Sequence, residues 1–359
     1  MMKINRGFVS METPGGADDI VWVVPHSGPA LETPTSRDDN ADTVASLCWM
    51  KTGGKLLIST LPRKRALGID FNRDPPPAGK AMKYYEMFQN NADPEAMQQY
   101  REMYAWVAGD RADHVARLKI YNDFWDEIRN AGSTVVFVHR KFTRMKNFPS
   151  IMDVISYRNF GSSKGLLSKT VGEANRKYSG LLASLARPYK KAIMLEQQRV
   201  VQRIVDVFGK LDLDKMDAEY RKNILDDIRV IKKYADPEIA RKLERRLTPS
   251  LMMKGVKSAL RNSGPEITIE SIFSGDKALS QVRSICREKN VLCIESNAFI
   301  NYWYPNETSS MIIDVINEIK SVRKITSYLT EKQARRELEC GLAAAAEKQD
   351  ETNLTALAQ

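Results

Sequence analysis

The chain of 359 residues holds three histidines, His26, His114 and His139. His26 directly follows a run of apolar, β-branched residues, Ile-Val-Trp-Val-Val-Pro at 20–25, which reads as a buried strand closed by Pro25. His139 directly follows a second such run, Ser-Thr-Val-Val-Phe-Val at 133–138. A third, at 291–295, ends in Glu295. In a parallel sheet the carboxyl ends of the strands share one edge, and ligands bind there. Two imidazoles and nearby carboxylates at such an edge suit zinc, which takes nitrogen and oxygen ligands and keeps one position open for water. A lone histidine after a strand is ordinarily a loop or cap residue; two of three in the same setting point to a metal. His114 lies among Asp113, Arg117 and Lys119 in a helical stretch and reads as part of a solvated face. Asn72 and Arg73 put an amide beside a guanidinium fork, a pairing that suits a substrate carboxylate, because arginine binds it through two parallel hydrogen bonds.

The elements that must hold these residues alternate. After the strand at 20–25 come a helix at 42–52, a strand at 55–60 and a break at Pro75, Pro76 and Pro77. A helical stripe through Val115, Leu118, Tyr121, Phe124, Trp125 and Ile128 leads into the strand before His139. Strands alternating with helices predict an α/β fold, with a mostly parallel or mixed central sheet and helices on both faces. Between 165 and 262 strand signals stop. A stripe through Val201, Val205, Ile224, Ile228 and Ile231 predicts a helical insertion, lying beside the sheet as a lid or oligomer contact. Strands return at 266–272 and 291–295, followed by a helix at 308–323. The expected organisation is an α/β catalytic domain from 1–164 and 263–330, the insertion at 165–262, and a helical or frayed tail at 331–359.

Three segments, Pro25-His26-Ser27-Gly28, Ala41-Asp42-Thr43 and Asp70-Phe71-Asn72-Arg73, resemble in order and spacing the opening motifs of the N-formylglutamate amidohydrolase family, distant relatives of the zinc carboxypeptidases. Val136 to His139 resembles that family's strand ending in a metal-binding histidine. Met152 to Ile155 with Asn159 to Ser163 resembles the stretch that follows. Ile272-Phe273-Ser274-Gly275 resembles its glycine-rich substrate loop, and Val291 to Glu295 its strand ending in the catalytic glutamate. The resemblance covers residues 18–77, 131–165 and 264–322. It implies a carboxypeptidase- or phosphorylase/hydrolase-like fold and a zinc ion on His26, His139 and an acid, Asp42 in the matched motif or Glu32 as its rival. It further implies Glu295 as general base and Asn72, Arg73, Ser274 and Gly275 as substrate contacts. Phe137 stands where the family has an acid two residues before the second histidine, and Asp276 follows Gly275 where the family has a glycine pair. Glu196, after Ala192 to Leu195, fits the glutamate pattern as well, although the apolar spacing through Leu181, Leu185, Val200, Ile204 and Phe208 reads as helix.

The expected activity is therefore zinc-dependent hydrolysis of a linear amide, with an N-acyl amino acid as substrate. A carboxypeptidase-like peptidase is one alternative. A non-catalytic scaffold is another, with the basic segment 199–261 binding a partner protein or nucleic acid. The net charge of +10 permits an anionic ligand, but no nucleic-acid-binding motif is present, so nucleic acid stays a minor alternative. No apolar run reaches membrane-spanning length, and the first residues lack the apolar core of a secretory signal. Four scattered cysteines do not form a disulfide framework, so a cytoplasmic protein, possible as a homo-oligomer, is expected.

Overall fold

In the computed structural model, eight strands form one mixed sheet in the order β1-β2-β4-β3-β5-β8-β6-β7. The structure describes residues 2–13, 19–29, 37–63, 69–89, 106–156, 164–216, 218–269 and 280–320. The strands are β1 (Met2–Asn5), β2 (Phe8–Glu12), β3 (Ile20–Val24), β4 (Lys55–Ser59), β5 (Thr134–Lys141), β6 (Ser150–Ser156), β7 (Glu266–Ile269) and β8 (Asn290–Asn297). β4, β3, β5 and β8 run parallel at the centre. β2 meets β4 antiparallel, and β6 meets β8 antiparallel.

The central strands are apolar at nearly every position because both faces are covered, as parallel sheets require. Helix α1 (Ala41–Thr52) lies on the face that carries Trp22, whose Nε1 donates to Thr52 Oγ1 at 3.1 Å. Helix α2 (Ala78–Gln89) and helix α3 (Arg111–Arg129) follow. α3 begins where Asp110 accepts from the Asp113 backbone N at 2.7 Å. Its Tyr121, Phe124, Trp125 and Ile128 pack with Val21, Val23, Val135, Phe137, Val291 and Cys293 on the opposite face. β1 and β2 form a hairpin through Arg6 and Gly7; Gly7 takes φ 98°, a left-handed conformation glycine adopts without strain.

Helices α4 (Lys164–Lys177), α5 (Ser179–Phe208), α6 (Ala218–Tyr234), α7 (Pro237–Arg245) and α8 (Pro249–Asn262) occupy the segment between β6 and β7, with no strand among its described residues. Val201, Ile204, Ile224 and Ile231 are buried, while Val205 and Ile228 are half-buried. This segment reaches the sheet through Tyr189, whose hydroxyl donates to the Ser150 carbonyl at 3.0 Å. α9 (Ser280–Ile285) and α10 (Ala298–Trp303) flank β8, and residues 305–320 are helical. The chain divides into two compact units, 1–313 and 314–359, so the helical segment belongs to the same unit as the sheet. The tail 331–359 lies outside the described residues. No helix among the described residues is long and apolar enough to cross a membrane.

Candidate metal centre

His26 leaves β3 and His139 sits near the end of β5, its neighbour in the sheet, so both imidazoles reach the carboxyl edge of the parallel strands. Their ring centroids are 4.8 Å apart. Between them lies Asp38, in the turn before α1. Its Oδ2 is 3.1 Å from His26 Nδ1 and 2.9 Å from His139 Nδ1. All three residues are buried, and one donor atom from each lies within 4.8 Å of the others. The Asp38 backbone N donates to the His26 carbonyl at 2.9 Å, which fixes the turn against the end of β3.

The second nitrogen of His26 is also committed. Nε2 lies 2.8 Å from Asp70 Oδ1. A proton on Nε2 shared with Asp70 leaves Nδ1 with its lone pair toward Asp38 and His139, the carboxylate–histidine arrangement that orients a metal-binding imidazole. Two imidazole nitrogens and one carboxylate oxygen, converging and buried, fit a zinc-type ion at three points. Burial opposes charge on Asp38, but His26 and His139 outweigh it and hold its carboxyl well below the usual carboxylate range. Burial and Arg63 oppose a proton on His26, while Asp70 and Asp38 outweigh them and raise its pKa. A position that so favours positive charge is one that a cation can take in place of the proton.

Asp70 is braced in turn. Arg63 Nε donates to its Oδ2 at 3.1 Å, and the Asn72 backbone N donates to its Oδ1 at 2.9 Å. The Arg73 guanidinium stands 3.8 Å from Asp70 Oδ2 and is about half exposed, at 47 %. Arg63 also lies in the field of Asp38 and Glu295. The loop bearing His26 and the loop bearing Arg63 meet backbone to backbone: a Cβ on Gly28 would fall 1.8 Å from the Leu61 carbonyl oxygen.

Glu295 is opposite His139 in the β5–β8 register, and Asp153 is opposite Glu295 in the β8–β6 register. Thr268 continues the row on β7. Residues in register share a face, so His139, Glu295, Asp153 and Thr268 form a polar row across four strands. Lys141, two residues past His139, pairs with Asp153. Burial pushes the Glu295 carboxyl up, against the pull of His139 and Lys141. An upward shift makes the carboxyl a stronger base than an ordinary carboxylate, as a group that takes and returns a proton requires.

Several expectations change. The acid between the histidines is Asp38. Asp42 Oδ2 instead accepts from Arg37 Nη2 at 3.2 Å in the first turn of α1, where an acid offsets the helix dipole. Glu32, Ser274, Gly275 and the stretch 157–163 lie outside the described residues. Glu196 is on α5, 38 % exposed, beside Arg199 at 3.7 Å. His114 is buried, not solvated: the Ile69–Trp106 bridge lays Trp106 against α3, with ring centroids 6.0 Å apart. Phe137 packs on Trp125 at 5.9 Å, and the carboxylate partner of a histidine comes from Asp70. A cavity of about 660 Å³ lined by Asp19, Ile20, Lys55, Glu127 and Gly132 opens at the opposite strand edge and contains none of these groups.

Asp38 and Arg63 had no signal of their own in the sequence. Asp38 is one of two acids in Arg-Asp-Asp-Asn at 37–40, and only the position of the helix start separates it from Asp42.

No protein-family model matches the chain, and no curated protein matches it. Among solved structures, the gene product Atu2144 of Agrobacterium tumefaciens is similar over 88% of this chain and 96% of its own, at 12% identity and a TM-score of 0.43.

Proposed function

We propose that the chain is a metal-dependent amidohydrolase that binds zinc and cleaves a carboxylate-bearing amide such as an N-acyl amino acid. The observation that carries the reading is the convergence of His26, Asp38 and His139, with Glu295 in register with His139 on the adjacent strand. A bound zinc ion supplies Lewis acidity toward the amide carbonyl and lowers the pKa of water toward neutrality. With Nδ1 given to the ion, Asp70, 2.8 Å from Nε2, would accept the remaining His26 proton and hold the ring toward the centre. Glu295 accepts the proton of the attacking water and returns it to the leaving nitrogen. Arg73, with Asn72 beside it, faces solvent next to Asp70 and is placed to hold the substrate carboxylate.

Metal analysis of the purified chain, followed by a screen of N-acyl amino acids, tests the reading. One zinc per chain and release of a free amino acid are expected. Glu295→Gln keeps the shape of the site but cannot take the proton. It should retain metal and lose turnover by roughly 10²-fold or more. A chain that binds no metal, or a Glu295→Gln variant as active as the parent, refutes it.

A further inference from the structure

Arg140 is adjacent to His139 in β5, and adjacent residues of a strand face opposite sides of the sheet. It shares the face of Val136 and Trp22, where α1 packs. Its side chain is only 6 % exposed. Nη2 donates to the Arg37 carbonyl at 2.7 Å and stands 3.6 Å from Asp39 Oδ2, and the guanidinium lies 4.5 Å over the Phe142 ring. Arg37 and Asp39 are the two neighbours of Asp38. The turn therefore straddles the end of β5: its central carboxylate meets His139 on one side, and its flanks meet Arg140 on the other. Arg37 extends the clasp to Asp42 at 3.2 Å and Asp39 at 3.7 Å.

We propose that Arg140 is a positioning residue of the metal centre, fixing the 37–40 turn so that Asp38 presents Oδ2 to the ion together with the two histidines. This rests on the reading of His26, Asp38 and His139 as metal ligands. The only other main-chain tether of Asp38 toward the sheet among the described residues is its N–H to the His26 carbonyl. One tether lets the turn swing about Asp38; a second, 2.7 Å from the preceding carbonyl, stops it. Burying a guanidinium is costly unless it is paired, and here the contacts of Nη2 fall on Arg37 and Asp39, the residues that flank a ligand. Groups that orient ligands in this way typically contribute about 10–100-fold to metal affinity.

The test is Co²⁺ titration of the metal-free full chain in competition with a chelator, followed by visible absorption, with the folded fraction of each sample measured by circular dichroism. Arg140→Met keeps the stem and removes the donors. It should weaken Co²⁺ about 10–100-fold per folded chain and alter the absorption bands. Arg140→Lys keeps the charge and one donor and should recover part of the affinity. Wild-type affinity and spectrum in both variants overturn the proposal while leaving the metal centre intact. A loss that only tracks the folded fraction overturns it as well. A parent chain that takes up no Co²⁺ overturns the metal reading itself, and the role of Arg140 falls with it.

Discussion

Asp38 and Asp227 are both buried carboxyl groups, and their surroundings drive them in opposite directions. Asp38 faces two imidazoles, which hold its carboxyl low against the cost of burial. Asp227, on α6, accepts from Gln197 Nε2 at 2.8 Å and the Lys146 backbone N at 2.8 Å, with Arg144 Nη2 at 3.4 Å. Burial outweighs those partners, and its pKa is raised. The first is a carboxylate whose partners can exchange a proton for a metal ion. The second is a fastener: a neutral amide, a backbone N–H and the Arg144 guanidinium, whose charge cannot be given up to a metal ion, tie α6 to the turn that follows β5. Burial alone does not make an acid functional. What matters is whether its neighbours can trade positive charge.

The comparison breaks most sharply at Asp38. Asp38→Ala should take metal from about one ion per chain to none by equilibrium dialysis, whereas Asp227→Ala should leave the stoichiometry unchanged. Loss of metal in Asp227→Ala would mean the two acids are not separate in role. A smaller effect is expected at Asp70. Asp70→Asn can still meet His26 Nε2 but no longer stabilises positive charge there, so chelator competition should show roughly 10–100-fold weaker binding. Unchanged affinity would remove Asp70 from the centre.

A difference in pH dependence sharpens the contrast. Because the folded-state pKa of Asp227 lies above its unfolded value, the stability this group contributes is complete below about pH 4. It is lost as pH rises through the folded pKa. The amide introduced by Asp227→Asn does not titrate, and Gln197 Oε1, buried without a hydrogen bond, is available to accept from that amide once the Gln197 side chain turns over. Urea unfolding of Asp227→Asn relative to the parent should therefore favour the variant increasingly as pH rises above about pH 4; a difference that does not grow, or that falls, contradicts the assignment. The smallest expected effect is at the half-exposed Glu196: Glu196→Gln should change stability by less than about 0.5 kcal/mol and leave turnover unchanged.

The central strands and the two metal-side histidines were legible in the sequence because both signals are local. β3, β4, β5 and β8 are short apolar runs, buried on two faces, and each histidine lies at or beside its run's end. β1 escaped notice because Met2–Asn5 is only four residues long: Met2 and Ile4 alternate with Lys3 and Asn5, but both stay exposed and the run is too short to stand out. β6 carries Asp153 in the middle of an apolar run, a residue explained by Lys141 on a strand two places away in the sheet and by the hydroxyls of Ser150 and Thr268. Asp227 was concealed within the apolar stripe of Ile224 and Ile231 because its partners come from α5 and the β5–β6 turn. Asp38 and Arg63 depend on where two loops cross, which neither periodicity nor spacing encodes.

The contact of Gly28 with Leu61 sets how freely this centre can vary by descent. With a Cβ position 1.8 Å from a main-chain oxygen, there is no side chain at the joint to trim in compensation. Accommodating even alanine would require two loops to part, and these loops carry His26 and Arg63. Saturation mutagenesis across 27–29 followed by selection for a folded, metal-loaded chain should thus return glycine alone at 28 and a broad spectrum at the exposed Pro29. Position 28 is closed to drift by main-chain packing, and a lineage keeping the His26, Asp38 and His139 cluster would carry that glycine as its most durable mark.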